Sequence, residues 1–380
     1  MKHITIKNFK CFHEVDIPLS KLAVLAGANG NGKSTAIQSL LFLRKTIEHC
    51  AKWEKGRFDY SAPNGLNVEL NGSYCLDLGN SDYVIPVDSN MRDIITLGLF
   101  DERNNNEFTV TYSTNTGQEL WLTPKEVSNR YRDNPLCHQE FYYLNAERIG
   151  PRMSQSIKFY DYPNVGFKGE YTAQIISNLN WSFKVDEERV NSENLLGSRF
   201  EHYINAWLRF ILPGVSVASH FDDKTHTARI EVQNSYSKNN AIIPTNTGFG
   251  ISYVLPIIVS GLIAKKDRFM IVENPEAHLH PSAQSKVGQF LAIIANAGVN
   301  VIVETHSDHV INGIQIAVVR NKIKPENVCI NFFQQDDNAT QPKVTTIGIK
   351  EKGELTDWPK GFFDQTQIDY SYLIQLRRNV

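Results

Sequence analysis

The sequence predicts an α/β fold organised around one strand–loop–helix unit, with an antiparallel β lobe inserted before the α/β pattern resumes. Three observations carry this reading. Residues 22–35, LAVLAGANGNGKST, run an apolar strand through a glycine-rich loop into a helix. From about residue 60 to 122 the pattern changes to short strand-like pieces separated by turn-rich NG, GNSD, DERNNNE and STNTG. Past Ile243, apolar strands and amphipathic helices alternate again.

The loop comes first because it carries the most specific chemistry. Gly27-Ala28-Asn29-Gly30-Asn31-Gly32-Lys33-Ser34 fits G-x-x-x-x-G-K-[ST] with a strand before it and a helix after it, the context of a phosphate-binding loop. Glycines let the backbone approach anionic oxygens closely, so that several N–H groups converge on them. The following helix points its positive N-terminal end at the same place. Asn29, Gly30, Asn31, Gly32, Lys33, Ser34 and Thr35 are therefore expected to bind the nucleotide. Lys33 is expected to reach the β- and γ-phosphates, and the Ser34 hydroxyl to hold Mg²⁺. The loop alone predicts a nucleoside triphosphate with Mg²⁺; ATP as the nucleotide is what the family resemblance described below implies.

Composition sets wide bounds. The 380 residues are 41% hydrophobic and 21% charged, ordinary values for a folded chain with a sizeable core. Thirty-nine basic and 41 acidic residues give a net charge of −2, so bulk charge singles out no partner, although a local basic groove for nucleic acid remains open. Five scattered cysteines without C-x-x-C spacing predict reduced thiols in a cytoplasmic protein. MKHITIKNFK is no signal peptide, and the longest apolar run, around residues 254–264, is too short to span a bilayer.

In chain order, residues 3–10, 15–19 and 22–26 read as strands, and 34–49 as a helix packed on one side. The β lobe is expected to use strands over 66–70, 74–78, 93–100, 108–112 and 120–122, followed by 141–145. Helices are expected over 171–179 and 192–211, the latter with an aromatic stripe better suited to core than to nucleic-acid stacking, then a hairpin over 215–219 and 228–232. Helices at 251–264, 282–296 and 308–321 alternate with strands at 269–273 and 299–304; strands at 328–333 and 343–349 and a helix at 366–376 finish the chain. The expected division is 1–155 (P-loop and antiparallel lobe), 156–245 (mainly helical insertion), 246–335 (second ATPase part) and 336–380 (small appendage).

A second cluster completes the chemistry. Phe269-Met270-Ile271-Val272-Glu273 is a buried strand ending in an acid that suits Mg²⁺ binding, followed at once by Asn274-Pro275-Glu276-Ala277-His278-Leu279-His280-Pro281. The next strand ends in Glu304-Thr305-His306-Ser307-Asp308-His309, and adjacent parallel strand ends face one crevice. His306 is thereby expected near the γ-phosphate, able to donate a hydrogen bond to it or to the attacking water. Glu276, His278, His280, His306 and His309 also have tolerable transition-metal spacings, a reading outweighed by the P-loop upstream.

These residues carry a resemblance. ITIKNFKCF, GANGNGKS, FMIVENPEAHLHP and VETHSDHVING resemble the opening strand and turn, Walker A loop, Walker B strand with D-loop, and switch-histidine segment of ABC-type ATPase heads in the SMC, RecF and OLD (overcoming lysogenization defect) group, which includes ATPases of bacterial anti-phage systems. The resemblance implies that Lys10 approaches the nucleotide. It also implies that Gly248, Gly250 and Ser252, in NTGFGISYVLPII, bind the γ-phosphate held by a second subunit, giving a homodimer or higher oligomer around sandwiched ATP. GELTDWPKGFFDQ resembles a small domain of unknown function that follows such ATPases. The motifs cluster at 1–45 and 245–315.

Departures limit the transfer. Glu273 replaces the usual Walker B aspartate, and Asn274 stands where the catalytic glutamate is usual, so hydrolysis is expected to be slow unless Glu276 or another group substitutes. There is no LSGGQ, Tyr253 occupies a position where glutamine is expected, and strand 141–145 with Arg148 is the candidate for the missing Q-loop. Too few residues follow Phe333 for a Toprim nuclease, and Asp336-Asp337 reads as loop. Catalytic candidates are thus Glu273, Glu276 and His306, with Ser34 and Glu273 on the metal. Three function classes compete: a hydrolysing ATPase in phage defence or DNA repair acting on nucleic acid; an ATP-gated scaffold, hydrolysing little, that holds a separate nuclease or toxin inactive; and a transporter subunit, disfavoured by the strand-rich insertion and the missing LSGGQ.

Overall fold

The structure is a computed structural model, and it describes residues 2–88, 94–113, 117–236, 240–336 and 339–378. Asp93, most of the STNTG turn and Asp337 lie outside the described residues. The first part of the chain contains β1 (Lys2–Phe9), β2 (Phe12–Leu19), β3 (Leu22–Gly27), α1 (Lys33–Cys50), β4 (Lys52–Glu54), β5 (Arg57–Asp59), β6 (Val68–Glu69), β7 (Ile95–Asp101), β8 (Asn106–Ser113) and β9 (Trp121–Asn129). The middle contains β10 (Tyr142–Leu144), β11 (Gln155–Ser156), α2 (Thr172–Leu179), α3 (Phe200–Ile211), β12 (Val215–Asp222) and β13 (Thr227–Asn234). The last part contains α4 (Phe249–Ile263), β14 (Phe269–Glu273), α5 (Pro281–Asn296), β15 (Asn300–Thr305), α6 (Asp308–Val319), β16 (Val328–Gln334), β17 (Lys343–Ile347) and α7 (Gln365–Arg378).

The central sheet has the order β10-β14-β15-β3-β16-β17, parallel except for the antiparallel β16–β17 edge. Its strands are apolar on both faces, as a parallel sheet covered on both sides requires. In β3, Leu22, Val24 and Ala26 face one core while Ala23 and Leu25 face the other. Helices α2 to α6 cover the first face. On the second face lie α1 and an antiparallel sheet of order β2-β1-β7-β8-β9-β6.

This layering explains where the structure departs from local sequence patterns. Helix α1 is buried nearly all round, including Ser39, Arg44, Lys45 and Thr46, because it is sandwiched between the two sheets instead of packing on one side. Arg44 donates to the Leu136, His138 and Gln139 carbonyls and pairs with Glu48, which makes its burial tolerable. Strands β1 and β2 join the antiparallel lobe through the β1–β7 pairing. The 74–78 stretch is not a strand: Ser73–Cys75 forms a 3₁₀ turn with Tyr74 and Cys75 at positive φ. The expected 192–211 helix starts only at Phe200, after a separate 3₁₀ turn at Ser192–Asn194.

The 156–245 region pairs α2 and α3 with a β11-β13-β12 sheet, so strands form a substantial part of it. Strand β17 extends the central sheet, tying the start of the 336–380 segment to the ATPase core. Gly27, at φ +132°, closes β3 so tightly against β16 that an added Cβ would lie 2.1 Å from the Phe333 carbonyl oxygen.

Candidate active site

The parallel register sets the site. Glu273 at the end of β14 pairs with Glu304 in β15, and Glu304 pairs with Leu25 in β3, two residues before Gly27 opens the loop. Three neighbouring strand ends therefore deliver their side chains to one edge, where ligands of open α/β sheets bind. A cleft of about 320 Å³ lies there. Asn29, Gly30, Gly32, Lys33, Ser34 and Thr35 form one wall, and Ala146, Glu273, Asn274, Glu304 and His306 the other.

The loop end of α1 is built to receive an anion. Gly32 is the N-cap at φ 93°, no side chain caps the helix, and no acid occupies its first turn. The first N–H groups are thus left to whatever binds there. Lys33 is buried, its ammonium donating to the Gly27 and Ala28 carbonyls at 2.9 Å each. Burial lowers its pKa, and Glu304 and Glu276 oppose that shift. The Ser34 hydroxyl donates to Glu304 Oε1 at 3.1 Å.

The acids differ in environment. Glu273 accepts from the Tyr143 hydroxyl at 2.8 Å; burial raises its pKa and that hydrogen bond opposes the rise. Glu304 is only 5% exposed, and burial, reinforced by the neighbouring Glu273 charge, pushes its pKa up to about 7. Glu276 lies outside the cleft lining and spends both oxygens on the switch segment, accepting from the Thr305 hydroxyl and the His306 N–H at 2.7 Å each. That pairing, with Ser307 capping α6 and donating to Gln284 at 2.6 Å, fixes His306 at the cleft. Burial and then Lys33 lower the His306 pKa, favouring the neutral imidazole.

Other sequence candidates lie around this centre. Lys10 sits in the β1–β2 turn and donates to Gln38 Oε1 at 2.7 Å. The Asn31 amide turns to the Phe333 carbonyl. Gly248, Gly250 and Ser252 begin α4 and do not line the P-loop cleft of their own chain; Gly248 is exposed and Gly250 packs on the His278 carbonyl. Arg148 does not line the cleft but braces its rim, donating to the Asn145, Glu273 and Asn274 carbonyls. Its guanidinium also lies 5.1 Å from the Tyr253 ring centre, and Tyr253 packs on His278 at 4.5 Å. His280 caps α5.

The family model described as "AAA domain, putative AbiEii toxin, Type IV TA system" matches residues 22–312, a span that holds the whole P-loop cleft. The chain belongs to this AAA-domain family. Over 368 residues it is 38% identical to the "OLD nuclease" of Thermus scotoductus, covering 90% of this chain and 66% of that protein, so it spans just under two thirds of that relative's length. The ATPase fold is also similar to a solved Smc head bound to the C-winged helix domain of ScpA (12% identity, TM-score 0.51), covering 92% of this chain and 98% of that one. A further Smc head, with an extended coiled coil and bound to the C-terminal domain of ScpA derived from Pyrococcus furiosus, has 11% identity and a TM-score of 0.49 over 92% and 97% of the two chains. Residues 323–373 match a protein of unknown function (DUF3696).

Membership of the AAA-domain family implies nucleotide binding, and the P-loop part has an α/β fold like that of the solved Smc head. Among the described residues of this ATPase, no helix is long and apolar enough to cross a membrane. The residues that sequence reasoning passed over are Glu304, Tyr143 and Ala146. Glu304 was visible as the acid directly before Thr305-His306, but only the β14–β15 register reveals that it stands beside Glu273.

Proposed function

We propose that this chain binds ATP–Mg²⁺ in the cleft, closes with a second copy around the nucleotide, and so controls a separate effector. The observation that carries the reading is the convergence of Lys33, Ser34, Glu273, Glu304 and His306 on one cleft beside an uncapped helix N-terminus. The donor set fits a metal-bound triphosphate: hard carboxylate and hydroxyl oxygens suit Mg²⁺, and a lysine with convergent N–H groups suits the phosphates. Ser34 and Glu273 would hold Mg²⁺, which when bound neutralises charge on the phosphates. Lys33 would orient the β- and γ-phosphates, and His306 would donate to the γ-phosphate.

The position of Gly248, Gly250 and Ser252, away from their own cleft at an exposed helix start, supports their acting on a partner's nucleotide. The effector is a nuclease or toxin, in keeping with the descriptions of the relative and the family, and the setting is bacterial anti-phage defence in the cytoplasm. Free thiols at all five cysteines suit that compartment. A second reading, an ATP-gated scaffold with little turnover, is favoured by Asn274 beside Glu273.

Complementation tests the shared site. Lys33→Ala and Ser252→Arg should each abolish turnover alone. Mixed together, they form dimers that pair one intact P-loop with one intact partner loop, and turnover returns. A mixture as inactive as its components would refute the composite site.

A further inference from the structure

Asn274 follows Glu273 at the cleft end of β14, and an amide there takes no proton from water. Glu276, the next acid along the chain, commits its oxygens to Thr305 and His306. Glu304 is placed differently. It stands in β15 between the Walker B strand and the P-loop strand, in register with Glu273 on one side and Leu25 on the other. Its side chain lines the cleft, and one of its oxygens accepts from Ser34. Because it sits inside a six-stranded sheet, its position is held by backbone pairing on both sides.

We propose that Glu304 is the general base for ATP hydrolysis in this chain, doing the work for which Asn274 is chemically unsuited. The inference rests on the reading of the cleft as an ATP site. In the step, the water oxygen forms a bond to the γ-phosphorus as the bond from that phosphorus to the β,γ-bridging oxygen breaks. The electron pair of the broken bond leaves on ADP. The water proton goes to the Glu304 carboxylate and from there to the released phosphate, so the balance closes with water as the only co-reactant. Glu273, oriented by Tyr143, is left to the metal side of the site.

The test measures Mg-ATP affinity, melting temperature and turnover in the full chain and in Glu304→Gln and Glu276→Gln. The amide introduced by Glu304→Gln would keep a carbonyl oxygen for the Ser34 hydroxyl. That variant should therefore fold and bind Mg-ATP within about threefold of wild type, while turnover falls by about 10²-fold or more. Glu276→Gln should retain more turnover than Glu304→Gln. Undiminished turnover in Glu304→Gln, or a loss of affinity that accounts for the loss of turnover, overturns the assignment. Wild type that binds Mg-ATP without turning it over also overturns it while leaving the ATP site intact; wild type that binds no Mg-ATP overturns the underlying reading itself.

Discussion

The guanidinium of Arg148 joins two consecutive carbonyls at the cleft end of β14, donating to Glu273 O at 2.7 Å and Asn274 O at 2.6 Å. Arg148 is buried, and burial lowers its pKa to about 10, still well above neutral pH. A permanent cation thus anchors the turn where the strand must release Asn274 into a positive φ of 44°. Arg148→Ala leaves three partly buried carbonyls without this donor and is expected to cost roughly 2–4 kcal/mol. Arg148→Lys should recover only part, since an ammonium lacks the fork that spans two acceptors. Chemical denaturation of the three proteins checks this; equal midpoints would contradict it.

Gly32 is the second prediction. At φ +93° it occupies left-handed backbone, and an added Cβ would lie 2.5 Å from the Phe12 ring and 2.9 Å from Cys11 Sγ. Gly32→Ala combines strain with a clash against a buried ring, on the order of 2–3 kcal/mol. The melting temperature should fall and nucleotide binding should weaken together. Unchanged melting would show that the β1–β2 turn yields easily.

Glu304 gives the nucleotide-free protein a pH signature. Its folded pKa of about 7 exceeds the ordinary 4.5, so between these values the folded state keeps a proton that the unfolded state has released. Stability therefore falls as pH rises from 4.5 to about 7, by an amount on the order of 3 kcal/mol, and this contribution is constant above that window. Melting curves from about pH 4.5 to about pH 8 should show a smaller decline in Glu304→Gln than in wild type. Parallel declines would remove Glu304 as the cause.

Glu276 provides a contrast, because it acts through the segment it holds. Replacing it with leucine removes the acceptor for both Thr305 and the His306 N–H. Turnover should drop about tenfold or more as His306 loses its placement, with Mg-ATP affinity changed far less. Equal losses in affinity and turnover would assign Glu276 to binding instead.

The P-loop, the β14 strand and the His306 segment were legible because each is a contiguous run whose chemistry needs neighbours in sequence. The short strand-like pieces set apart by turn-rich stretches likewise reported the antiparallel lobe that β7, β8 and β9 build. Burial of Arg44 was not legible: its cost is offset by carbonyls at 136, 138 and 139, more than ninety residues away in sequence. Glu304 was hidden for a similar reason, since its neighbour Glu273 is thirty-one positions earlier and meets it only through strand register. Tyr74 read as strand because aromatic residues favour strands, but its positive φ and its hydrogen bond to Glu48 belong to a turn closing over α1.

The central claim is that the P-loop cleft is an ATP site. It is tested most directly by equilibrium titration of Mg-ATP into wild type and Lys33→Ala. Wild type should bind saturably, and Lys33→Ala should lose at least about tenfold in affinity while keeping the wild-type fold by circular dichroism. Equal affinity in the two proteins would contradict the account.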